Sequence, residues 1–376
     1  MVLDDGRSRL GWVVCDLLEV PWALVGEIRA AVSATGCLDG QNVIVSATHT
    51  HAGPDLDSEW ADGAHSHLEA MTSYCNFLVY AIASSLVAAV SDLAPASLAW
   101  GEEAVYGVGS SRRGGGADPQ RLGALTATDG ARLRGMRVIY PCHGTVLGPD
   151  NLSVSGDIIG TTVEVLERGT RAVGRCSGAQ GAAGDVSTRF TRRDRTFVEL
   201  ERLAQVVATG AQGAAGAAKP LSGDLQVRLG RTTTRLLLKN EGAQPAHVEV
   251  ALLSERAPGD RSKAALDEEA MAARTARRNG GRPPEHQAEI CVLSIGQLDL
   301  CFVPGEPFHS IERALVQRTG LPGLRVVGYS NGAPGYIFTP EEEVEGGYEV
   351  MASPLTGAAG EAIVRVAATL ISQTRT

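Results

Sequence analysis

The chain has 376 residues, of which 44% are hydrophobic and 20% charged, and its formal net charge is −9. This composition excludes intrinsic disorder as the main state, because disordered chains hold too few apolar residues to build a core. The acidic balance, without any run rich in Lys and Arg, argues against a nucleic-acid partner. The length corresponds to one large domain or two ordinary ones.

Three further sequence features bear on where the protein works. No run of roughly 18 or more apolar residues occurs, so we predict no membrane span and interpret the longest apolar region, residues 76–90, as a buried helix. The first five residues carry no basic segment of the kind that begins a secretory signal. The seven cysteines are scattered and form no CxxC pair, which is typical of a reducing compartment. We therefore predict a cytoplasmic protein.

Strands and helices alternate in the first part of the chain. Hydrophobic patterning predicts strands at residues 12–17 and 42–46 and helices at residues 21–35 and 65–92. This alternation is the pattern of an α/β layer. The glycine- and arginine-rich residues 109–123 are predicted to form a loop.

The middle of the chain continues the same alternation. We predict a strand at 133–141, a loop at 143–156, a helix at 158–168, a short strand at 172–176, a small-residue run at 178–184 and a helix at 195–217.

The composition changes after Lys219. Alternating β-branched and polar residues at 225–253 predict antiparallel strands, and the highly charged residues 256–285 predict an exposed helix with a loop. The remaining predicted elements are strands at 289–295, 298–303 and 324–329, and helices at 307–319 and 359–371. The predicted fold is α/β: a mixed β-sheet core flanked by helices, with a β-rich central excursion at about residues 220–290.

The first group of chemically capable residues is Thr48-His49-Thr50-His51, directly after a predicted strand. In an extended chain, residues i and i+2 project to the same side, so His49 and His51 can both face one cavity. Open α/β sheets bind ligands at such strand ends, and neutral imidazole is a common zinc ligand. The alternative is a pair of hydrogen-bonded loop histidines.

Two other strand ends carry possible metal ligands, His143 and Glu306. Each has a structural alternative, because a lone histidine is usually structural and a glutamate at a helix start can cap the helix. Ser187 follows a glycine-rich turn and is a candidate nucleophile or hydrogen-bond donor. Its surroundings do not have the GxSxG form of the hydrolase elbow, and such runs are often needed only for tight packing.

A glycine-rich loop near the C-terminus holds aromatic hydroxyls. It reads Gly328-Tyr329-Ser330-Asn331 and is followed by Tyr336 and Tyr348. These tyrosines are either packed or placed for a polar role.

Taken in order, these motifs resemble those of the neutral, non-lysosomal ceramidases and their bacterial single-domain relatives. The matching segments are 48–54 (THTHAGP), 143–145 (HGT), 184–187 (GDVS), 304–306 (PGE) and 328–331 (GYSN) with the two later tyrosines. Five motifs in the same order across residues 42–348 are far more specific than any one of them. The family consists of zinc amidohydrolases. The resemblance therefore implies the fold of the ceramidase catalytic domain and the hydrolysis of amide bonds.

Carried over position by position, the resemblance implies one Zn²⁺ per chain, held by His49, His143, Glu306 and Tyr336. It also implies active-site roles for His51 as a proton shuttle, for Ser187, and for an oxyanion-binding pair, Tyr348 and Arg112. Arg113, the next residue, is an equal contender for the family's arginine.

The sequence departs from the family pattern at several points. Thr188 and Arg189 stand where the family has Pro-Asn after the serine, and Asp55 and Asp57 stand where glycine is expected. The family's first strand and its C-terminal immunoglobulin-like domain have no counterpart. We therefore predict a single catalytic domain over residues 1–376.

The predicted function is zinc-dependent hydrolysis of an amide (N-acyl) bond in a small metabolite. The Ala-, Gly- and Arg-rich composition is typical of high-GC bacteria, where such relatives can serve biosynthesis. One alternative uses the same metal site for ester or lactone hydrolysis, cyclisation or acyl transfer. The other is a non-catalytic metal-binding protein. The predicted partner is a small-molecule amide or N-acyl substrate, and the sequence leaves the oligomeric state open.

Overall fold

A computed structural model describes residues 1–54, 56, 65–114, 119–130, 132–169, 175–239 and 285–375, for residues 65–70 and 285 by their backbone alone. Asp55, Asp57, the first part of the predicted strand 172–176, and nearly all of the predicted elements between 240 and 285 lie outside the described residues.

The first layer is a three-stranded sheet with two helices on it. Its strands lie in the order β1 (Val2–Asp4), β2 (Arg9–Cys15) and β3 (Val43–Ala47), with β2 antiparallel to β1 and parallel to β3. The helix α1 (Trp22–Ala34) joins β2 to β3 and buries Leu24, Ile28 and Val32, the helical spacing that predicted it. All five residues of β3 are buried.

The long helix α2 (His65–Ser91) is more exposed than predicted. It packs on α1, with Leu86 only 1% exposed on its inner face. On its outer face Phe77 and Tyr80 are 59% and 73% exposed, so the prediction of a buried helix is wrong for that face. Among the described helices, Met71–Ser91 is long and apolar enough to cross a membrane, by length and composition only.

The second layer is a five-stranded sheet whose two helices, α3 (Asp157–Gly169) and α4 (Phe197–Gly216), pack on it and on each other. Its strands lie in the order β10 (Lys219–Pro220), β4 (Ser97–Val105), β6 (Gln120–Asp129), β7 (Arg132–Tyr140) and β8 (Arg175–Gln180). The prediction of a loop over 109–123 is wrong for two short stretches, because β5 (Ser110–Ser111) and the start of β6 lie within it.

Pairing across the second sheet explains why sequence patterning misses β4 and β6. Both are poor in β-branched residues, and long-range pairing rather than propensity stabilises them. Gly123 of β6 lies under the ring of Trp100 of β4, and a Cβ there would come within 2.2 Å of that ring. Similarly, β8 continues through the small-residue run to Gln180 because Gly178 lets Ile159 of α3 pack closely.

The third layer confirms the described part of the predicted β-rich excursion. The strands β11 (Arg228–Leu237), β12 (Glu285–Ile295) and β13 (Leu298–Phe302) are antiparallel neighbours, and the later β15 (Arg325–Val327) is parallel to β13. The helices α5 (His309–Thr319) and α8 (Gly357–Arg375) correspond to the predicted helices 307–319 and 359–371.

Short elements complete the site region. The strands β9 (Val186–Ser187) and β5 pair with each other, as do β14 (Glu306–Pro307) and β16 (Tyr336–Ile337). Two short helices, α6 (Pro340–Glu345) and α7 (Tyr348–Ala352), were not predicted. A capping box of Thr339 and Glu342 at the start of α6 is the sequence signal that identifies it. Mixed sheets flanked by helices agree with the predicted fold class.

Candidate metal centre

His49 lies two residues after the end of β3, and Thr48 stands between them. Its Nδ1 lies 2.8 Å from the carbonyl oxygen of Leu18, so the ring proton is on Nδ1 and the Nε2 lone pair is free. The backbone at His49 is left-handed, with φ of 59°, so the extended geometry expected for residues 49–51 is wrong. His51 nevertheless reaches the same place, because its Nε2 lies 3.3 Å from that of His49.

His143 follows β7 and is held from behind in the same way. Its Nδ1 lies 2.7 Å from the carbonyl oxygen of Ala183 and 3.2 Å from that of Val186, which again leaves the lone pair on Nε2. Gly144 forms a bridge with Thr50, and a Cβ on Gly144 would come within 2.7 Å of the His49 carbonyl oxygen. The glycine therefore allows the two histidine loops to meet.

Glu306 brings a carboxylate to the two free imidazole nitrogens. Its Oε2 lies 3.2 Å from Nε2 of His49 and 3.1 Å from Nε2 of His143. This oxygen is buried and has no hydrogen-bond partner among the described residues. Burial would raise the pKa of Glu306, but positive charge on the two imidazoles beside it would lower that pKa well below its usual value, so this carboxylate favours positive charge in the cluster.

Three acceptor atoms therefore face one another, namely Nε2 of His49, Nε2 of His143 and Oε2 of Glu306. Mutual repulsion of such acceptors is relieved by a cation, and an imidazole–carboxylate set is typical of catalytic zinc sites. Ring nitrogens of His49, His51 and His143 all lie within 4.8 Å of one another. His49 and His143 are buried, whereas His51 is exposed.

Tyr336 is the fourth proposed ligand, and strand pairing brings it to the same site. It is the parallel register partner of Glu306 in the β14–β16 pair. Its ring is buried and stacks on His143 with a centroid distance of 6.2 Å. Burial and the nearby Glu306 carboxylate raise the pKa of Tyr336 well above its usual value, so the phenol is neutral unless a cation is present.

The structure separates the two contending arginines. Arg112 forms an ion pair of 2.7 Å with Glu349, approaches Nε2 of His143 to 3.3 Å and lies 5.3 Å from the ring centre of Tyr348. Arg113 instead donates to the carbonyl oxygens of Glu342 and Gly346. Arg112 and Tyr348 therefore lie at the cluster, and Arg113 anchors the α6–α7 segment.

Ser187 lies one residue beyond Val186, whose carbonyl oxygen accepts from the His143 amide. Its side chain is buried, and its Oγ accepts a hydrogen bond of 3.3 Å from the Arg189 amide. Arg189 is one of the two positions after the serine that depart from the family pattern, and it contributes here through its backbone.

Two residues near the site had no role assigned from sequence. Tyr329 stacks on His49 at a centroid distance of 4.2 Å, and its hydroxyl is buried without a hydrogen-bond partner among the described residues. Asp157 accepts hydrogen bonds from the amides of Val146, Leu147 and Ile158, which fixes the loop after His143. The sequence signals were the GYSN motif and the Gly-Asp pair at the start of α3.

The cluster could therefore hold a metal ion through mixed nitrogen and oxygen ligands, and its residues come from the ends of three sheets. Comparison with solved structures gives the fold. A ceramidase complexed with C2 superposes with a TM-score of 0.76 at 21% identity, covering 100% of this chain and 69% of that chain. A neutral ceramidase from Pseudomonas aeruginosa gives a TM-score of 0.75 at 22% identity, covering 98% of this chain and 67% of that chain.

The chain thus has the ceramidase fold and spans about two thirds of the length of these structures. No family model and no curated protein sequence matches it. The resemblance inferred from the five motifs is confirmed as a resemblance of fold.

Proposed function

We propose that this protein is a zinc-dependent amidohydrolase that cleaves an N-acyl amide bond. The observation that carries the proposal is the convergence of Nε2 of His49, Nε2 of His143 and Oε2 of Glu306, three buried acceptors facing one another. Tyr336, the register partner of Glu306, completes the proposed ligand set.

A zinc ion in this site would supply a water activated at neutral pH and would polarise the amide carbonyl. The chain's own residues do the rest. Arg112, beside Tyr348, presents positive charge and hydrogen-bond donors where a carbonyl oxygen gains negative charge. His51 is exposed and adjacent to His49, which suits it to pass a proton to the departing amine. Ser187 orients the substrate or takes part in acyl transfer.

The loops around the site support a substrate with an apolar acyl group. The loop after His143 carries Leu152 and Val154, which are 97% and 80% exposed. Its end is tied to the first histidine motif, because Thr50 donates to the carbonyl oxygen of Ser155. Phe190, three residues after Ser187, is also exposed. Exposed apolar side chains on the loops that follow site residues suit an acyl chain.

Metal content is the first test of the proposal. Purified wild type should carry about one zinc per chain by elemental analysis, and His49→Ala and His143→Ala should each lose it. His286→Ala, which removes a histidine of β12 outside the cluster, is the matched control and should keep the zinc. Wild-type protein that stays free of metal after exposure to zinc would exclude the zinc site.

The reaction is tested next, with N-acyl amides of increasing chain length as substrates. Hydrolysis in ¹⁸O-labelled water should place one labelled oxygen in the released carboxylic acid. Release of amine together with an acylated acceptor, without label, would show acyl transfer instead. Binding of these amides without turnover by zinc-loaded protein would favour a non-catalytic binding protein.

A further inference from the structure

Backbone strain is concentrated beside the metal centre. Among the described residues, four that are not glycine have a left-handed backbone: His49, Asp157, Tyr329 and Asn331. Such conformations persist where surrounding contacts hold them in place, and they cluster at functional sites. Three of the four, namely His49, Tyr329 and Asn331, belong to one contact network.

Asn331 is hydrogen-bonded to Val45 of β3 through both its side chain and its backbone. The Val45 amide donates to Oδ1 of Asn331 at 2.9 Å, and the Asn331 amide donates to the Val45 carbonyl oxygen at 2.8 Å. Two residues further along, the Ala47 amide donates to the carbonyl oxygen of Tyr329. Residues 329–331 therefore hold the end of the strand that leads into His49.

Tyr329 connects these hydrogen bonds to His49, the proposed metal ligand, through a contact between their rings. Its ring lies against the His49 ring with centroids 4.2 Å apart and an angle of 31° between the planes. Together with the carbonyl oxygen of Leu18 on Nδ1, this contact limits rotation of the imidazole.

A buried ion pair fixes Asn331 from the other side. Nδ2 of Asn331 donates to Oε1 of Glu289 at 2.9 Å, and Arg29 binds both carboxylate oxygens of Glu289 at 2.7 and 3.1 Å. Arg29 also donates to the carbonyl oxygen of Val43 at the start of β3. As whole residues, Arg29, Glu289 and Asn331 are at most 8% exposed.

We propose that Asn331, anchored by the Glu289–Arg29 ion pair, is a positioning residue that holds His49 in its ligand geometry through Val45 and Tyr329. The inference rests on the proposed function, since it assigns the network to the metal site of that enzyme. Supporting residues that orient metal-binding histidines typically change metal affinity 10–100-fold when they are lost.

The test variant is Asn331→Gly, because glycine tolerates the left-handed backbone and the change removes only the side-chain grip. Ser294→Gly is the matched control, since Ser294 is also buried, lies on β12 and loses one hydrogen bond, to Asp299. Zinc affinity is measured by competition with a chelator. We expect Asn331→Gly to weaken it at least about 10-fold and Ser294→Gly to leave it within about 2-fold.

A second readout uses metal-free protein and does not depend on activity. Nitrogen-15 NMR of the histidine rings reports the tautomer of His49, assigned by its loss in His49→Ala. We expect the Nδ1–H form in wild type and in Ser294→Gly, and an averaged signal in Asn331→Gly. Unchanged zinc affinity and an unchanged His49 signal in folded Asn331→Gly would overturn the proposal.

The two proposals fail in different ways. If wild type binds no zinc but Asn331→Gly still gives an averaged His49 ring signal, the enzyme proposal is wrong and the positioning role stands. If Asn331→Gly does not fold, the pair Tyr329→Phe and Tyr329→Leu decides, because both keep the Asn331 contacts. Wild-type affinity in Tyr329→Phe with at least about 10-fold loss in Tyr329→Leu is expected, and wild-type affinity in both overturns the proposal.

Discussion

At the scale of single residues, the neighbouring arginines Arg112 and Arg113 make different contacts. Arg112 lies at the candidate metal centre, 3.3 Å from His143, whereas Arg113 donates to backbone carbonyl oxygens of the α6 region. Lysine in place of either arginine keeps the charge and loses the planar set of donors. The two lysine variants therefore separate a contribution to the reaction from a contribution to the fold.

We expect Arg112→Lys to lower kcat about 10²–10³-fold, the usual effect of losing one oxyanion donor, while zinc content stays unchanged. Arg113→Lys should keep kcat within a few-fold and lower the free energy of unfolding by about 1 kcal/mol, the typical value of a hydrogen bond. Steady-state kinetics and urea denaturation measure the two effects. Equal losses of kcat in both variants would contradict the assignment of Arg112.

The lowered pKa of His143 predicts how the stability of the metal-free protein depends on pH. Burial lowers the pKa of His143, and His49 and Arg112 lower it further, although Glu306 acts in the opposite direction. The folded metal-free protein therefore keeps this ring neutral at pH values where the unfolded chain binds a proton. Since the unfolded state then binds more protons, the free energy of unfolding decreases as the pH falls below about 6.5, by at most about 1.4 kcal/mol per pH unit.

Urea denaturation of chelator-treated protein between about pH 7.5 and about pH 5.5 measures this effect. His143→Asn removes the titrating group, so its stability should fall less over the same range. Parallel curves for the two proteins would show that another group causes the acid sensitivity.

At the scale of elements, α2 has two faces with different energetic roles. Leu86 is 1% exposed and packs towards β2, where a Cβ on Gly11 would touch it. Leu86→Ala should therefore lower the free energy of unfolding by about 2–5 kcal/mol, as expected for a core cavity. Phe77→Ala on the outer face should change it by at most about 0.5 kcal/mol. Urea denaturation tests both, and a large loss for Phe77→Ala would show that its face is covered in solution.

The same scale shows what sequence reasoning recovers and what it misses. Strands such as β3 and β13, in which four of the five residues are apolar, are predictable because their own residues favour burial on both faces. The strands β4 and β6 are missed because contacts such as Gly123 under Trp100 join residues far apart in the chain. The left-handed backbone at His49 is missed for a similar reason, since Asn331, 282 residues further along, holds the strand before it.

The site residues were inferred through the resemblance, and the structure brings His49, His51, His143, Glu306, Tyr336, Arg112 and Tyr348 to one cluster. Spacing alone could not do this, because each ligand follows a different strand. The single-domain organisation, the cytoplasmic location and the individual catalytic roles stay predictions.

At the scale of the whole molecule, the proposed ligands tie distant parts of the chain together. His49 follows the first sheet, His143 the second, and Glu306 the third, so a bound ion would link all three layers. Because the folded chain assembles this site and the unfolded chain does not, zinc binding should stabilise the fold. At a free zinc concentration 100 times the dissociation constant, the gain is about 2.7 kcal/mol.

We therefore expect a chelator to lower the melting temperature of zinc-loaded wild type by several degrees, and added zinc to restore it. His49→Ala lacks a ligand and should melt at the same temperature with or without chelator, whereas His286→Ala should respond like wild type. Differential scanning calorimetry at fixed protein concentration makes the comparison. A chelator effect of equal size in His49→Ala would locate the stabilising ion elsewhere in the molecule. No effect in zinc-loaded wild type would mean that the histidine loops and Glu306 adopt their positions without help from a cation.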